Sequence, residues 1–176
     1  MPRSRRTGVC IRSTSSTCRQ GSFRPARESD VKKTPDPVSE YRLRRRVQFY
    51  ETDAAGIVHF SWFFRYMEEA EHALWRAAGL SIAAPGADIG WPRVATSFDF
   101  HRPLRFEDEF EVWLRIAAIT NRTIRYTCLM TSGDAKIATG ALTIACVSRR
   151  PNEAMKAISI PLDIAGRLRV ASACDD

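Results

Sequence analysis

The chain has 176 residues, enough for one domain with a sizeable core. No apolar run approaches the ~20 residues needed to cross a bilayer, so no membrane span is expected. The net charge of +7 points to a nucleic-acid or membrane partner only until it is divided: residues 1–40 hold nine Lys/Arg against four Asp/Glu, and the other 136 hold eighteen against sixteen. The basic character therefore belongs mostly to a tail, and no nucleic-acid partner is expected of the folded part.

Residues 1–40 are rich in Arg, Ser, Thr and Pro and almost free of apolar periodicity. Such a segment cannot bury enough surface to offset its ordering entropy, so a disordered basic tail is expected there, followed by one domain over 41–170. It lacks the apolar core of a secretory signal, although Arg- and Ser-rich composition is shared with organellar transit peptides. A solvated tail or a start placed too far upstream fits better than targeting.

From Tyr41 the chain alternates: Tyr41, Leu43, Arg45, Val47 and Phe49 against Arg42, Arg44, Arg46 and Gln48, the period of a strand. Glu51-Thr52-Asp53-Ala54-Ala55-Gly56 then reads as a tight turn. Phe60, Phe63, Phe64, Met67, Ala70, Leu74 and Ala78 recur at three- and four-residue spacing, which predicts one long amphipathic helix ending near Gly79. After a Pro- and Gly-containing connection, four strands are expected: Val94 to Leu104, Phe110 to Ile116, Ile124 to Met130, and Ile137 to Val147. The last is apolar nearly throughout, as in a strand covered on both faces. A strand, a long helix and then a run of strands predict an α+β architecture, an antiparallel sheet of about five strands with its helix on one face. Five cysteines stand far apart, at Cys10, Cys18, Cys128, Cys146 and Cys174, and indicate neither a disulfide framework nor a zinc site. Cys128 and Cys146 lie in apolar segments, where buried thiols in a reducing compartment are expected.

The segment from Phe49 to Phe60 sets a carboxylate, Asp53, a glycine, Gly56, and an imidazole, His59, between a strand end and a helix start. Helix N-termini leave backbone N–H groups free to stabilise an anionic oxygen. By itself an Asp after a strand is most often a turn former or helix cap. The run T-D-A-A-G-I-V (52–58), the helix segment Tyr66-Met67-Glu68-Glu69-Ala70, the stretch His101 to Asp108, and Ile160-Pro161 together resemble the hot-dog acyl-CoA thioesterases. The resemblance is to the 4-hydroxybenzoyl-CoA and Tol-Pal-associated type, over roughly residues 41–165.

That resemblance implies a hot-dog fold, a sheet wrapped around one central helix, and hydrolysis of an acyl-CoA without metal or organic cofactor. It makes Asp53 the catalytic carboxylate, as general base or nucleophile, and gives Gly56 the shaping of the loop. His59 is a candidate for binding or polarising the substrate; Val58 and Phe60 are candidates for contacting it. Phe60 and Trp62 stand where relatives often carry polar residues, which enlarges the apolar surface beside the loop. Arg149 and Arg150 are candidates for the CoA phosphates, since guanidinium groups suit phosphate oxygens, although a charged strand terminus is the simpler account of them. Glu68, Glu69 and Glu71 could supply a helix carboxylate, but Arg65 with Glu69 and Glu68 with His72 read as pairs of a solvated face. The family also implies a cytoplasmic homodimer or homotetramer whose subunits join sheets edge to edge. Two alternatives remain at this stage: hydration or dehydration of an acyl thioester on the same fold, or a non-catalytic module that binds acyl-CoA or nucleic acid.

Overall fold

The computed structural model describes residues 36–150 and 153–172; Cys10, Cys18, Cys174 and the tail, apart from residues 36–40, lie outside them. Within the described residues, contacts with the domain reach upstream of residue 41. Val38 donates its N–H to Arg167 O at 2.9 Å and bridges Leu168 in parallel, a single apolar contact too isolated to register as periodicity.

The elements in chain order are β1 (Glu40–Arg46), a 3-10 turn (Phe49–Glu51), α1 (Phe60–Ala77), β2 (Ile89–Gly90), β3 (Arg93–Phe100), β4 (Glu109–Ile119), β5 (Thr123–Ser132), β6 (Ala135–Ala145), β7 (Val147–Ser148) and α2 (Leu162–Ala165). Five strands form one antiparallel sheet in the order β1-β4-β5-β6-β3, while β2 and β7 pair separately. One face of the sheet carries Phe110, Val112, Leu114 and Ile116 of β4 and Ile124, Tyr126, Cys128 and Met130 of β5, all buried against α1. The helix answers with Phe63, Tyr66, Met67, Ala70, Leu74 and Trp75, the stripe expected from its spacing. This is the hot-dog arrangement, with 18 residues of helix held in the curve of the sheet.

Local chemistry explains why α1 starts and stops where it does. His59 is its N-cap, and the helix closes on Gly79, whose φ of +68° a residue with a side chain adopts only with strain. There Leu80 N–H reaches Trp75 O at 2.8 Å and Gly79 N–H reaches Arg76 O at 2.9 Å, so two of the last carbonyls are satisfied. Inside the core, Trp75 Nε1–H donates to the Tyr126 hydroxyl at 3.0 Å, which spares both polar tips an unpaired burial.

Three sequence expectations are corrected. The first strand does not run to Phe49: the chain leaves the sheet after Arg46, so Phe49 is 75% exposed and lies edge-on against Phe106. The strand begun at Val94 stops at Phe100, because the N–H groups of His101 and Arg102 both turn back onto Ile137 O. The apolar strand Ile137 to Val147 is not covered on both faces: Ala138, Leu142 and Ile144 are buried, whereas Thr139, Ala141 and Thr143 remain half-buried on the outer side.

Candidate active site

The chain between the 3-10 turn and α1 is pinned at its base before it opens. His59 N–H donates to Glu51 O at 2.9 Å, and Thr52 bridges Val58 across the loop. Asp53 comes next, its own N–H donating to Ile57 O at 2.8 Å while its carbonyl accepts from Gly56 N–H at 2.9 Å. This tight return requires Gly56 to adopt φ +72°, a conformation that costs other residues about 1 kcal/mol or more. The Asp53 carboxylate is half-buried and uses only one oxygen locally: Oδ1 accepts from Ala55 N–H at 2.8 Å and more weakly from Ile57 N–H at 3.5 Å. Among the described residues Oδ2 accepts no hydrogen bond. One oxygen is therefore oriented by the turn and the other is available.

His59 is a helix cap in fact. Its Nδ1 accepts from Ser61 N–H at 3.4 Å and lies 2.9 Å from Ser61 Oγ, with the ring 4.4 Å from that of exposed Phe60. An accepting Nδ1 puts the proton of the neutral ring on Nε2, which is then a donor. Val58 is a core residue, and Leu104 O takes its N–H at 2.8 Å; the segment leading to the Arg105 side of the loop is thereby tied down.

Behind the loop stands a constellation that the sequence reading missed. Glu51 is completely buried, yet each oxygen is served: Oε1 by Arg45 Nη2 at 2.8 Å, and Oε2 by the Tyr66 hydroxyl and Gln48 N–H, both at 2.8 Å. Arg45 also pairs with Glu69 and lies 4.7 Å from the centre of the Tyr66 ring. Burial and the adjacent Glu51 carboxylate both push the Tyr66 phenol up, so it remains a donor. A signal was present: Arg45 falls on the apolar side of the β1 alternation, and an inward arginine requires an inward carboxylate.

The other predicted groups are dispersed. Arg149 lines a cavity of about 380 Å³ together with Glu68, His72, Trp91 and Arg93, and Arg150 is exposed; neither is among the hydrogen-bond partners of loop 52–58. The guanidinium that does approach the loop is Arg105, whose Nη1 lies 4.0 Å from the place a Cβ on Gly56 would occupy. The helix carboxylates are not the solvated pairs expected. Glu69 turns to Arg45, Glu68 pairs with Arg65 and Arg93, and Glu71 is completely buried with Arg93 Nη2 at 2.8 Å from Oε2 and, among the described residues, no partner on Oε1. Burial is the main reason its carboxyl is pushed up to about 7, with Arg93 opposing the rise. Cys128, pushed up to about 12 by burial, is poorly suited to act as a nucleophile. Among the described residues no three His, Cys, Asp or Glu side chains group so as to hold a metal ion.

Comparison with known proteins bears on what such a loop does. Residues 55–139 match the family model of the thioesterase superfamily. The chain is 36% identical over 123 residues to a protein of Aquifex aeolicus provisionally named an esterase, covering 69% of this chain and 91% of that one. It is 25% identical over 119 residues to a 1,4-dihydroxy-2-naphthoyl-CoA hydrolase of Synechococcus elongatus, covering 66% and 88%. A crystal structure of a hypothetical protein from Aquifex aeolicus superposes with a TM-score of 0.68 at 32% identity, over 73% of this chain and 99% of that one.

Proposed function

The chain belongs to the thioesterase superfamily and is a thioester hydrolase, and we propose that it cleaves acyl-CoA, with Asp53 as the carboxylate on which the reaction depends. The observation that carries the reading is the loop itself. It holds one Asp53 oxygen on backbone N–H groups, leaves the other free, and joins directly to the cap of α1. A free carboxylate oxygen can draw a proton from water or attack the thioester carbonyl. The oxyanion that follows needs a donor, and Phe60 N–H is of the right kind: among the described residues it has no acceptor, whereas Ser61 and Trp62 N–H are turned onto His59; one such donor lowers a barrier by about 3 to 4 kcal/mol. His59 Nε2–H is a second candidate donor toward the carbonyl.

Aromatic rings surround this corner of the fold, which favours an aromatic acyl group over a plain aliphatic one. Tyr50 meets Trp62 at 5.5 Å between ring centres, Phe49 meets Phe106 at 5.7 Å, and Phe60 is 60% exposed. Exposed rings beside a reactive loop offer offset and edge contacts to another ring. The naming of a related chain as a naphthoyl-CoA hydrolase agrees in kind. Arg105 is the arginine best situated to meet the anionic tail of CoA, ahead of Arg149 and Arg150 within one subunit.

We further propose a homodimer or homotetramer built on β3, an outermost strand that leaves Val94 and Phe100 more than half exposed. Unpaired strand edges favour such association. A panel of aromatic and aliphatic acyl-CoAs, followed by release of free thiol, tests the substrate reading. Faster turnover of benzoyl- or naphthoyl-CoA than of chain-matched aliphatic thioesters is expected. Conversion of an acyl-CoA without thiol release would instead favour hydratase chemistry.

A further inference from the structure

We propose that Glu51 is a positioning residue for Asp53, acting through the triad Glu51–Arg45–Tyr66. The inference rests on the reading of Asp53 given above. Glu51 stands where three elements meet. Its carboxylate joins Arg45 of β1 to Tyr66 in the second turn of α1, and its main chain joins the 3-10 turn, through N–H to Gln48 O at 3.0 Å, to the helix cap, through C=O from His59 N–H at 2.9 Å. Loop 52–58 hangs from that last bond and from the Thr52–Val58 bridge, so Asp53 is only one residue removed from a clamped pair.

The chemistry of the triad is costly unless it serves a purpose. A carboxylate removed wholly from water is tolerated only when each lone pair is met, and apolar residues of similar volume commonly hold a fold equally well. Here each oxygen has a partner: Arg45 Nη2 on Oε1, and on Oε2 a phenol whose proton burial retains and an amide. Arg45 is itself fixed between Glu51, Glu69 and the face of Tyr66. The result is a rigid base beneath a loop whose catalytic atom has to be held to within a fraction of an ångström.

The test uses the full-length chain, benzoyl-CoA as probe, and Glu51→Gln, Tyr66→Phe and Asp53→Ala alone and combined, each with a thermal melt. Glu51→Gln keeps the volume but presents an amide to Arg45, and kcat is expected to fall at least about tenfold with KM within about twofold. Tyr66→Phe removes one hydroxyl and should lower kcat in the same sense by less. In the Asp53→Ala background both changes should have little further effect, since a residue that works through Asp53 has nothing left to position. A folded Glu51→Gln protein with parental kcat overturns the proposal. If that variant fails to fold, parental kcat in Tyr66→Phe does so in its place. Equal fold-losses with and without Asp53 also overturn it, assigning the triad to stability alone. Parental turnover in Asp53→Ala itself would instead sink the underlying reading, an outcome that the same data set distinguishes.

Discussion

Two glutamates, Glu51 and Glu71, are equally buried and chemically opposite. Every oxygen of Glu51 has a partner, whereas among the described residues Glu71 Oε1 has none and Oε2 is shared with an Arg93 that is 35% exposed. Its surroundings are Arg93, Glu68, His72 and the Tyr126 phenol, and burial outweighs the one cation, raising the carboxyl from 4.5 to about 7. The folded protein therefore keeps a proton that the unfolded chain has already released. That contribution to stability is complete below the unfolded value and is lost as pH rises through the folded one, a total of roughly 3 kcal/mol at most. Glu71→Gln, which mimics the protonated form, should melt higher than the parent at pH 8, with the advantage shrinking toward pH 5. A melting difference that does not change with pH would contradict this account of Glu71.

The elements are held by pairings that single substitutions can isolate. Gly140 of β6 faces Phe98 of β3, and a Cβ built there would lie 2.5 Å from Cε1 of the ring. The glycine is needed for close approach, and the ring covers the gap between two strands. Gly140→Ala should cost about 1 to 3 kcal/mol in denaturant melts, and adding Phe98→Leu should recover part of it; strictly additive losses would deny the contact. Legibility in the sequence follows from the same physics. Alternation revealed β1, β4 and β5, and the stripe from Phe63 to Leu74 revealed α1, because one-sided burial imposes a period. The loop from Thr52 to Val58 was legible through its resemblance and through Gly56. The triad was legible only in Arg45, on the inward side of β1; its partner was not, since Glu51 lies beyond the end of β1, where the 3-10 turn breaks the alternation that would have carried it inward. Arg105 was hidden for a different reason: its approach to Gly56 is a contact between distant segments, and no local pattern encodes it.

At the scale of the whole molecule, the sheet ends in β1 on one side and β3 on the other, and the two edges differ in chemistry. The outer side of β1 carries Arg42, Arg44 and Arg46 in pairs with Glu111 and Glu109, while β3 exposes apolar side chains. Charged edges resist pairing and apolar ones invite it. Light scattering of the full chain at micromolar concentration should give at least twice the monomer mass, and charged substitution at Val94 and Phe100 should lower it. A monomer under those conditions would remove β3 as the assembly edge. The central claim remains that of a single carboxylate on a clamped loop at the mouth of α1. It is tested most directly by the turnover of Asp53→Asn, followed by thiol release from a saturating acyl-CoA and accompanied by a melt showing the variant folded. The account predicts a kcat at least about a hundredfold below the parent, the scale of lost acid–base catalysis; a folded variant turning over at the parental rate would contradict it.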